Sequence, residues 1–194
     1  MVGSRQFDET HMLDAAMRVF WRKGYAAATI DDLVSATQVK RGSLYLAYGN
    51  KEGLFRVSLE AYVARVNDPL LDTLEAGDLT ASLRRIFETQ ARGGGADTPP
   101  GCLITQSAAE LGARSDGLGE AIRDVLKTIE ARIRARVDRA ITGREISPAV
   151  NAGQLTQFVA GTMRILPVIR KARGSAAAQA MADASITALR AWIR

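Results

Sequence analysis

Apolar residues recur at helical spacing along almost the whole chain, and the period-two alternation of a strand is absent. Leu13, Ala16, Met17 and Phe20 fall at i, i+3, i+4 and i+7, which predicts an amphipathic helix from Asp8 to Lys23. Asp8 is a suitable N-cap, Phe7 can staple onto Met12, and Gly24 stops the helix. Thr29 followed by Asp32 resembles a capping box and opens a short second helix carrying Ile30, Leu33 and Val34. The chain turns at about Thr37 and Gln38 into a third helix over 40–48, with Leu44 and Tyr48 on one face. After the Gly49-Asn50 break, Asn50 caps a helix from Lys51 to about Val66 whose buried face is Leu54, Phe55, Ser58, Leu59 and Tyr62, and Asp68-Pro69 ends it. Further helices are expected at about 69–76, 79–91, 102–112, 118–141, 148–172 and 175–193. The segment Gly93 to Gly101, GGGADTPPG, is the one clear flexible loop, and Arg144 to Pro148 is a shorter break. The fold class is therefore all-α, about nine helices, with a three-helix helix-turn-helix unit over 1–50 and a helical domain over 51–194.

Charge singles out one of these elements. The net charge is +5, yet residues 1–60 hold eight Lys/Arg against seven Asp/Glu, so the basic character is local. It sits in VKRGSLYLAYGNK, residues 39–51, where Lys40, Arg41, Ser43, Tyr45 and Lys51 occur with no acidic residue among them. A short helix with an apolar back and a face of cations, a hydroxyl and a phenol suits the major groove of DNA, so this stretch reads as a recognition helix. A second basic run, Arg132, Arg134, Arg136 and Arg139, reads as a solvated helix face balanced by Glu130 and Asp138.

Other chemistries find little support. A lone cysteine, Cys102, and a lone histidine, His11 in the first turn of its helix, leave no internal disulfide, no zinc cage and no cofactor, metal or catalytic site to assign. No carboxylate pair or phosphate loop suggests an enzyme. The N-terminal MVGSRQFDET lacks a hydrophobic signal core and no run of eighteen apolar residues occurs, which predicts a cytoplasmic protein with no membrane partner. Cys102 follows Gly101 at a helix start, where a thiol can become reactive; it reads either as a small buried side chain or as a redox or electrophile sensor.

Three spaced motifs, LDAAMRVFWRKGY, TIDDL and VKRGSLYLAYGNKEGLF, closely resemble the DNA-binding domain of the tetracycline-repressor (TetR) family over roughly residues 5–60. The remainder resembles the family in its helical layout, and GCLITQSAAEL at 101–111 looks like the Gly-Cys-Leu segment of one branch. The resemblance implies that Thr29 contacts a phosphate at a helix N-terminus, that Arg41 and Ser43 face base edges, that Tyr45 and Lys51 grip the backbone, and that Lys40 does either. The chain departs from the family where many members have Gly for Gln38, Ser for Lys40 and an aromatic for Ala47, which leaves the operator sequence open. The family further implies a homodimer, its recognition helices about 34 Å apart, that acts as a repressor released from a palindromic DNA operator by an unknown small-molecule effector. The last two helices supply the dimer surface through Leu155, Phe158, Val159, Met163, Leu166, Met181, Ile186, Leu189, Trp192 and Ile193, with Pro167 kinking the first of them. Helices over 51–141 enclose the effector, with Phe87, Thr105, Gln106, Ala109 and Phe158 as lining residues and Glu110 facing a cationic ligand or a salt bridge. A helical small-molecule-binding or interaction protein without DNA function is the alternative.

Overall fold

The computed structural model describes residues 2–95 and 97–193, with side chains from Glu9 onward. The regular elements among them are helical: α1 (Val2–Lys23), α2 (Ile30–Thr37), α3 (Arg41–Tyr48), α4 (Lys51–Tyr62), a π turn over Val63–Asn67, α5 (Asp68–Asp72), a 3-10 turn over Thr73–Glu75, α6 (Leu79–Arg92), α7 (Leu103–Leu111), α8 (Gly117–Thr142), α9 (Ala152–Arg173) and α10 (Ser175–Trp192). They fall into two compact units, one formed by the chain up to Asn67 with Leu103–Arg123, the other by Asp68–Cys102 with Asp124–Arg194. Helices α4 and α7 fall in the same unit as the N-terminal helices.

In the first unit α1 packs on α2 and α4 around an aromatic cluster. Phe20 meets Phe55 edge to face at 5.1 Å between centroids, Tyr25 meets Phe55 at 5.1 Å, and Trp21 meets Tyr62 at 4.8 Å. Such pairs add to the burial of their own surface, and they fasten α1 and the loop after it onto α4. The predicted face of α4, Leu54, Phe55, Ser58, Leu59 and Tyr62, is the buried one. Asn50 caps α4 by accepting the Gly53 N–H at 2.9 Å. Gly24 closes α1 with φ near +80° and its N–H donated to the Phe20 carbonyl at 2.8 Å.

In the second unit α10 packs on α6 and α9, and α6 on α9, around Leu83, Ile86, Phe87, Leu155, Val159, Leu166, Ile186 and Leu189. Asn151 accepts the Gln154 N–H at 3.0 Å and so starts α9 at Ala152 rather than at Pro148 as expected. The helix continues through the buried Pro167.

Three expectations change at the element level. The first helix begins at Val2 rather than at Asp8, which puts His11 in mid-helix; the side chains of the expected Phe7 staple and Asp8 cap lie outside the described residues. Pro69 does not end the helix that starts at Lys51. The path stays helical through the wider turn over Val63–Asn67, and Pro69 occupies the first turn of α5. A regular α-helix there would drive the proline ring into the Arg65 carbonyl, and the widened turn falls on those residues.

Of the α8 arginines, Arg134 and Arg139 lie on the expected solvated face, Arg132 is half-buried and Arg136 leaves that face altogether. Arg136 is only 6% exposed and donates to the Leu74 and Gly77 carbonyls and to Glu145 at 2.9, 3.1 and 2.9 Å. Arg132 donates to Asp68 and Asp72 at 2.9 and 2.5 Å, and Arg139 to Glu75 at 2.5 Å. Only Arg134 keeps the expected local partner, Asp138 at 2.8 Å, while Glu130 accepts from Arg164 and, at 3.2 Å, from Gln157.

Candidate nucleic-acid interface

The turn that aims α3 is built from side-chain hydrogen bonds. Thr29 Oγ1 accepts the Asp32 N–H at 3.1 Å, and the Asp32 carboxylate accepts the Thr29 N–H at 2.9 Å, the reciprocal capping box expected from sequence. Asp32 also accepts the Lys23 ammonium at 2.6 Å. The Lys23 bond first, then the Thr29 bonds, hold its carboxyl at about 2, so it stays ionised at the positive end of the α2 dipole. At the other end of α2 the chain reverses through Gln38, which takes a left-handed φ of 57° and donates its N–H to the Val34 carbonyl at 2.9 Å. A glycine would adopt that angle without strain; here the Gln38 amide offsets part of the cost by donating to the Ser35 carbonyl at 2.5 Å. The helix-turn-helix thus survives the departure at position 38.

Helix α3 docks through the buried Leu44 and the half-buried Tyr48, whose hydroxyl donates to Glu9 at 3.4 Å. Burial first, then the nearby Glu9 charge, raises the Tyr48 phenol above its usual range, so it remains a neutral donor. Thr29, Lys40, Arg41, Ser43 and Tyr45 are all exposed. Arg41 pairs with Asp31 across the turn at 2.5 Å, with both side chains more than half exposed. No acidic residue stands in the first turn of α3, while Lys40 and Arg41 crowd its positive end. Cations there oppose the helix dipole, so the arrangement weakens the helix and favours an anion in front of it.

Lys51 is placed differently. Its ammonium donates to the Tyr25 and Ala28 carbonyls at 2.9 and 3.0 Å, reaches the Ala26 carbonyl at 3.5 Å and lies 4.5 Å above the Tyr25 ring. Glu110, from α7, binds the same loop from the other polarity by accepting the Tyr25 and Ala26 N–H groups at 2.9 and 2.5 Å. Each Glu110 carboxylate oxygen thereby accepts one backbone amide. The loop leading into α2 is therefore gripped by an ammonium on its carbonyls and a carboxylate on its amides.

The five residues expected around an effector divide between the units. Thr105, Gln106 and Ala109 lie on α7 in the first, and Phe87 and Phe158 lie in the second. Turned with its nitrogen toward the Trp21 carbonyl and its oxygen toward the Gly24 N–H, the Gln106 amide bridges them at 3.3 and 3.0 Å, a bracing role at the end of α1. Phe87 is core, and Phe158 stacks edge to face on Trp192 at 5.7 Å. Thr105 is half-buried and Ala109 exposed. Cys102 is half-buried immediately ahead of α7.

One residue the sequence reading passed over stands out. Leu46 is 90% exposed, although α3 has only eight residues and buries its apolar face elsewhere. Its spacing from Leu44 and Tyr48 was the available signal, since steps of 100° put it opposite the docked face.

Comparison with known proteins agrees with this geometry. Residues 12–57 match the family described as bacterial regulatory proteins, tetR family, and residues 79–186 match the tetracyclin repressor-like C-terminal domain. The second match alone covers more than half the chain, and the protein belongs to the TetR family. It is accordingly a DNA-binding transcriptional regulator rather than an enzyme. The chain is similar to the HTH-type transcriptional repressor ComR of Escherichia coli (strain K12), 29% identical over 96% of this chain and 89% of that one. It is also similar to a cysteine mutant of the TetR-family regulator CifR solved with a 26-base-pair double-strand operator DNA. That likeness has a TM-score of 0.79 and 28% identity over 94% of this chain and 95% of that one. A TetR regulator from Chloroflexus aurantiacus shares the fold at a TM-score of 0.85 and 23% identity, over 100% of this chain and 99% of that one. Among the described residues no helix is long and apolar enough to cross a membrane.

Proposed function

We propose that the protein is a cytoplasmic, homodimeric repressor that binds a palindromic operator through α3 and is released from it by a small molecule. The observation that carries this reading is the exposure of Arg41, Ser43 and Tyr45 on a helix whose charges oppose its own dipole. The competing contact at Arg41, the exposed pair with Asp31, contributes only about 0.2–1 kcal/mol and is easily exchanged for DNA. In this reading Arg41 and Ser43 face base edges, Arg41 being suited to bidentate contact with guanine, Tyr45 and Thr29 hold phosphates, and Lys40 adds a backbone contact. We assign Lys51 to the loop before α2 rather than to the DNA backbone, since its ammonium already donates to the Tyr25 and Ala28 carbonyls. ComR, named a repressor, and CifR, solved on operator DNA, support the reading by their similarity over nearly the whole chain. Of the five effector candidates we retain Thr105 and Ala109, because Phe87, Gln106 and Phe158 have structural duties.

The test is a salt titration of the purified protein on duplex DNA from its own upstream region, with Arg41→Ala and Tyr45→Phe alongside wild type. Sequence-selective binding with a linear fall of log K against log salt is expected. Arg41→Ala should weaken it by about 1–3 kcal/mol and relax the preference at one position per half-site. Binding without sequence preference, or variants indistinguishable from wild type, would sink the assignment.

A further inference from the structure

The outermost ridge of α3, formed by Gly42, Ser43 and Leu46, carries one aliphatic side chain and no charge. With Leu44 and Tyr48 docked, steps of 100° per residue put Leu46 directly opposite them, flanked by Gly42 four residues back and Ser43 three back. Gly42 has nothing within 4 Å of where a Cβ would stand, so the helix is bare beside Leu46 and can approach a surface closely. Leu46 itself is 90% exposed, the most exposed large hydrophobic side chain among the described residues, while every other leucine of the first unit is buried or half-buried. An isobutyl group held in water at the tip of a helix contributes nothing to the fold of the protomer.

We propose that Leu46 is a specificity-determining residue, packing on the 5-methyl group of a thymine in the major groove of each operator half-site. This rests on the reading of α3 as the DNA-reading helix and adds to it a base preference. Charge complementarity selects the occupant: Lys40 and Arg41 stand on the same short helix or its cap, and residues 39–51 include no carboxylate. A polyanion is thereby favoured over an apolar protein surface. Within the major groove, the thymine methyl is the one apolar feature on the base edges, so an aliphatic side chain that leads the helix inward discriminates there or nowhere. The exposed Gly42 backbone lets the helix sit deep enough for Leu46 to reach it.

The experiment uses a duplex selected by the full-length wild-type protein from a random pool. Each thymine is then replaced in turn by uracil, which deletes one methyl and leaves the hydrogen-bonding edge intact. For wild type, one thymine per half-site should cost about fourfold in affinity on replacement. Leu46→Ala should bind the thymine duplex several-fold more weakly and lose that penalty, with the two effects non-additive, while Leu46→Met should retain it. Because Leu46 is solvated, its replacement leaves the fold intact, and an unchanged melting temperature verifies this. If Leu46→Ala shows the same uracil penalties as wild type, or if no thymine matters to wild type, the Leu46 assignment fails while the DNA-reading role of α3 stands. If selection enriches no sequence at all, both fail.

Discussion

At the scale of single residues, the division of labour among the cations of the head is set by what each already holds. Lys40 and Arg41 are exposed, and Arg41 has one weak, replaceable partner. Lys51 donates to the carbonyls of Tyr25 and Ala28 and covers the Tyr25 ring. Removing an ammonium from two part-buried carbonyls costs roughly 1–3 kcal/mol, whereas removing a phosphate contact flattens the salt dependence of DNA binding by about one. Lys51→Met is therefore expected to lower the midpoint of thermal unfolding while leaving the slope of log K against log salt unchanged. A slope reduced by one, with the melting temperature intact, would return Lys51 to the DNA backbone. The residue scale also shows what a linear reading misses. Position 51 lies in a basic stretch, and only the fold brings Tyr25 and Ala28 against it. Glu110 is harder still, since its partners lie 84 and 85 residues away and are backbone amides, which leave no trace in side-chain pattern.

At the scale of elements, helix positions were legible almost throughout because caps and apolar periodicity are local properties. Thr29 with Asp32, Asn50 and Gly24 set their helix ends as expected. The α4 face followed from spacing alone. The roles of the α8 arginines were not legible, because charge spacing along one helix says nothing of what packs beside it. Arg134 and Arg136 illustrate the difference. Arg134 with Asp138 is an exposed i,i+4 pair, and Arg134→Ala should change stability by no more than about 0.5 kcal/mol. Arg136→Met leaves the Glu145 carboxylate with the Leu79 N–H as its remaining donor and strands the Leu74 and Gly77 carbonyls. Its cost should fall at the lower end of the roughly 3–5 kcal/mol for breaking a buried pair, since Glu145 retains some water. Acid provides a second readout. Arg136, first among the causes, lowers the Glu145 pKa, so the pair's stabilisation is complete above the ordinary glutamate range and is lost as pH falls through the lowered value. Denaturant midpoints measured from neutral pH into acid should therefore fall less steeply for Arg136→Met than for wild type. Parallel profiles would place the stabilising effect of Arg136 in its carbonyl contacts alone.

For the molecule as a whole, we propose that the dimer surface lies on α9 and α10. Of the residues expected at a dimer interface, Leu155, Val159, Met163, Leu166, Ile186 and Leu189 are buried inside the protomer and belong to its own core. What remains outside is a second pattern. Gly161, Ile165, Val168 and Ala172 on α9, and Met181, Ala184, Ala188 and Trp192 on α10, are all exposed and follow three- and four-residue steps. The four large ones keep between 37 and 43% of their surface in water. Two adjacent helices, each with a buried stripe and an exposed apolar one, match half of a four-helix bundle closed by a second copy, the small residues allowing close approach. A charge in that stripe should separate the copies without disturbing the protomer core. Val168→Glu is expected to sediment as a monomer at concentrations where wild type and Gln154→Glu, in the first turn of α9, sediment as dimers. Because one helix-turn-helix reads only half a palindrome, the monomer should also lose about 10²–10⁴-fold in operator affinity, the gain that joining two half-site contacts supplies. A Val168→Glu protein that stays dimeric would move the interface off these helices. A monomer that still bound the operator at wild-type affinity would instead show that one head suffices, and the operator should then lack two-fold symmetry.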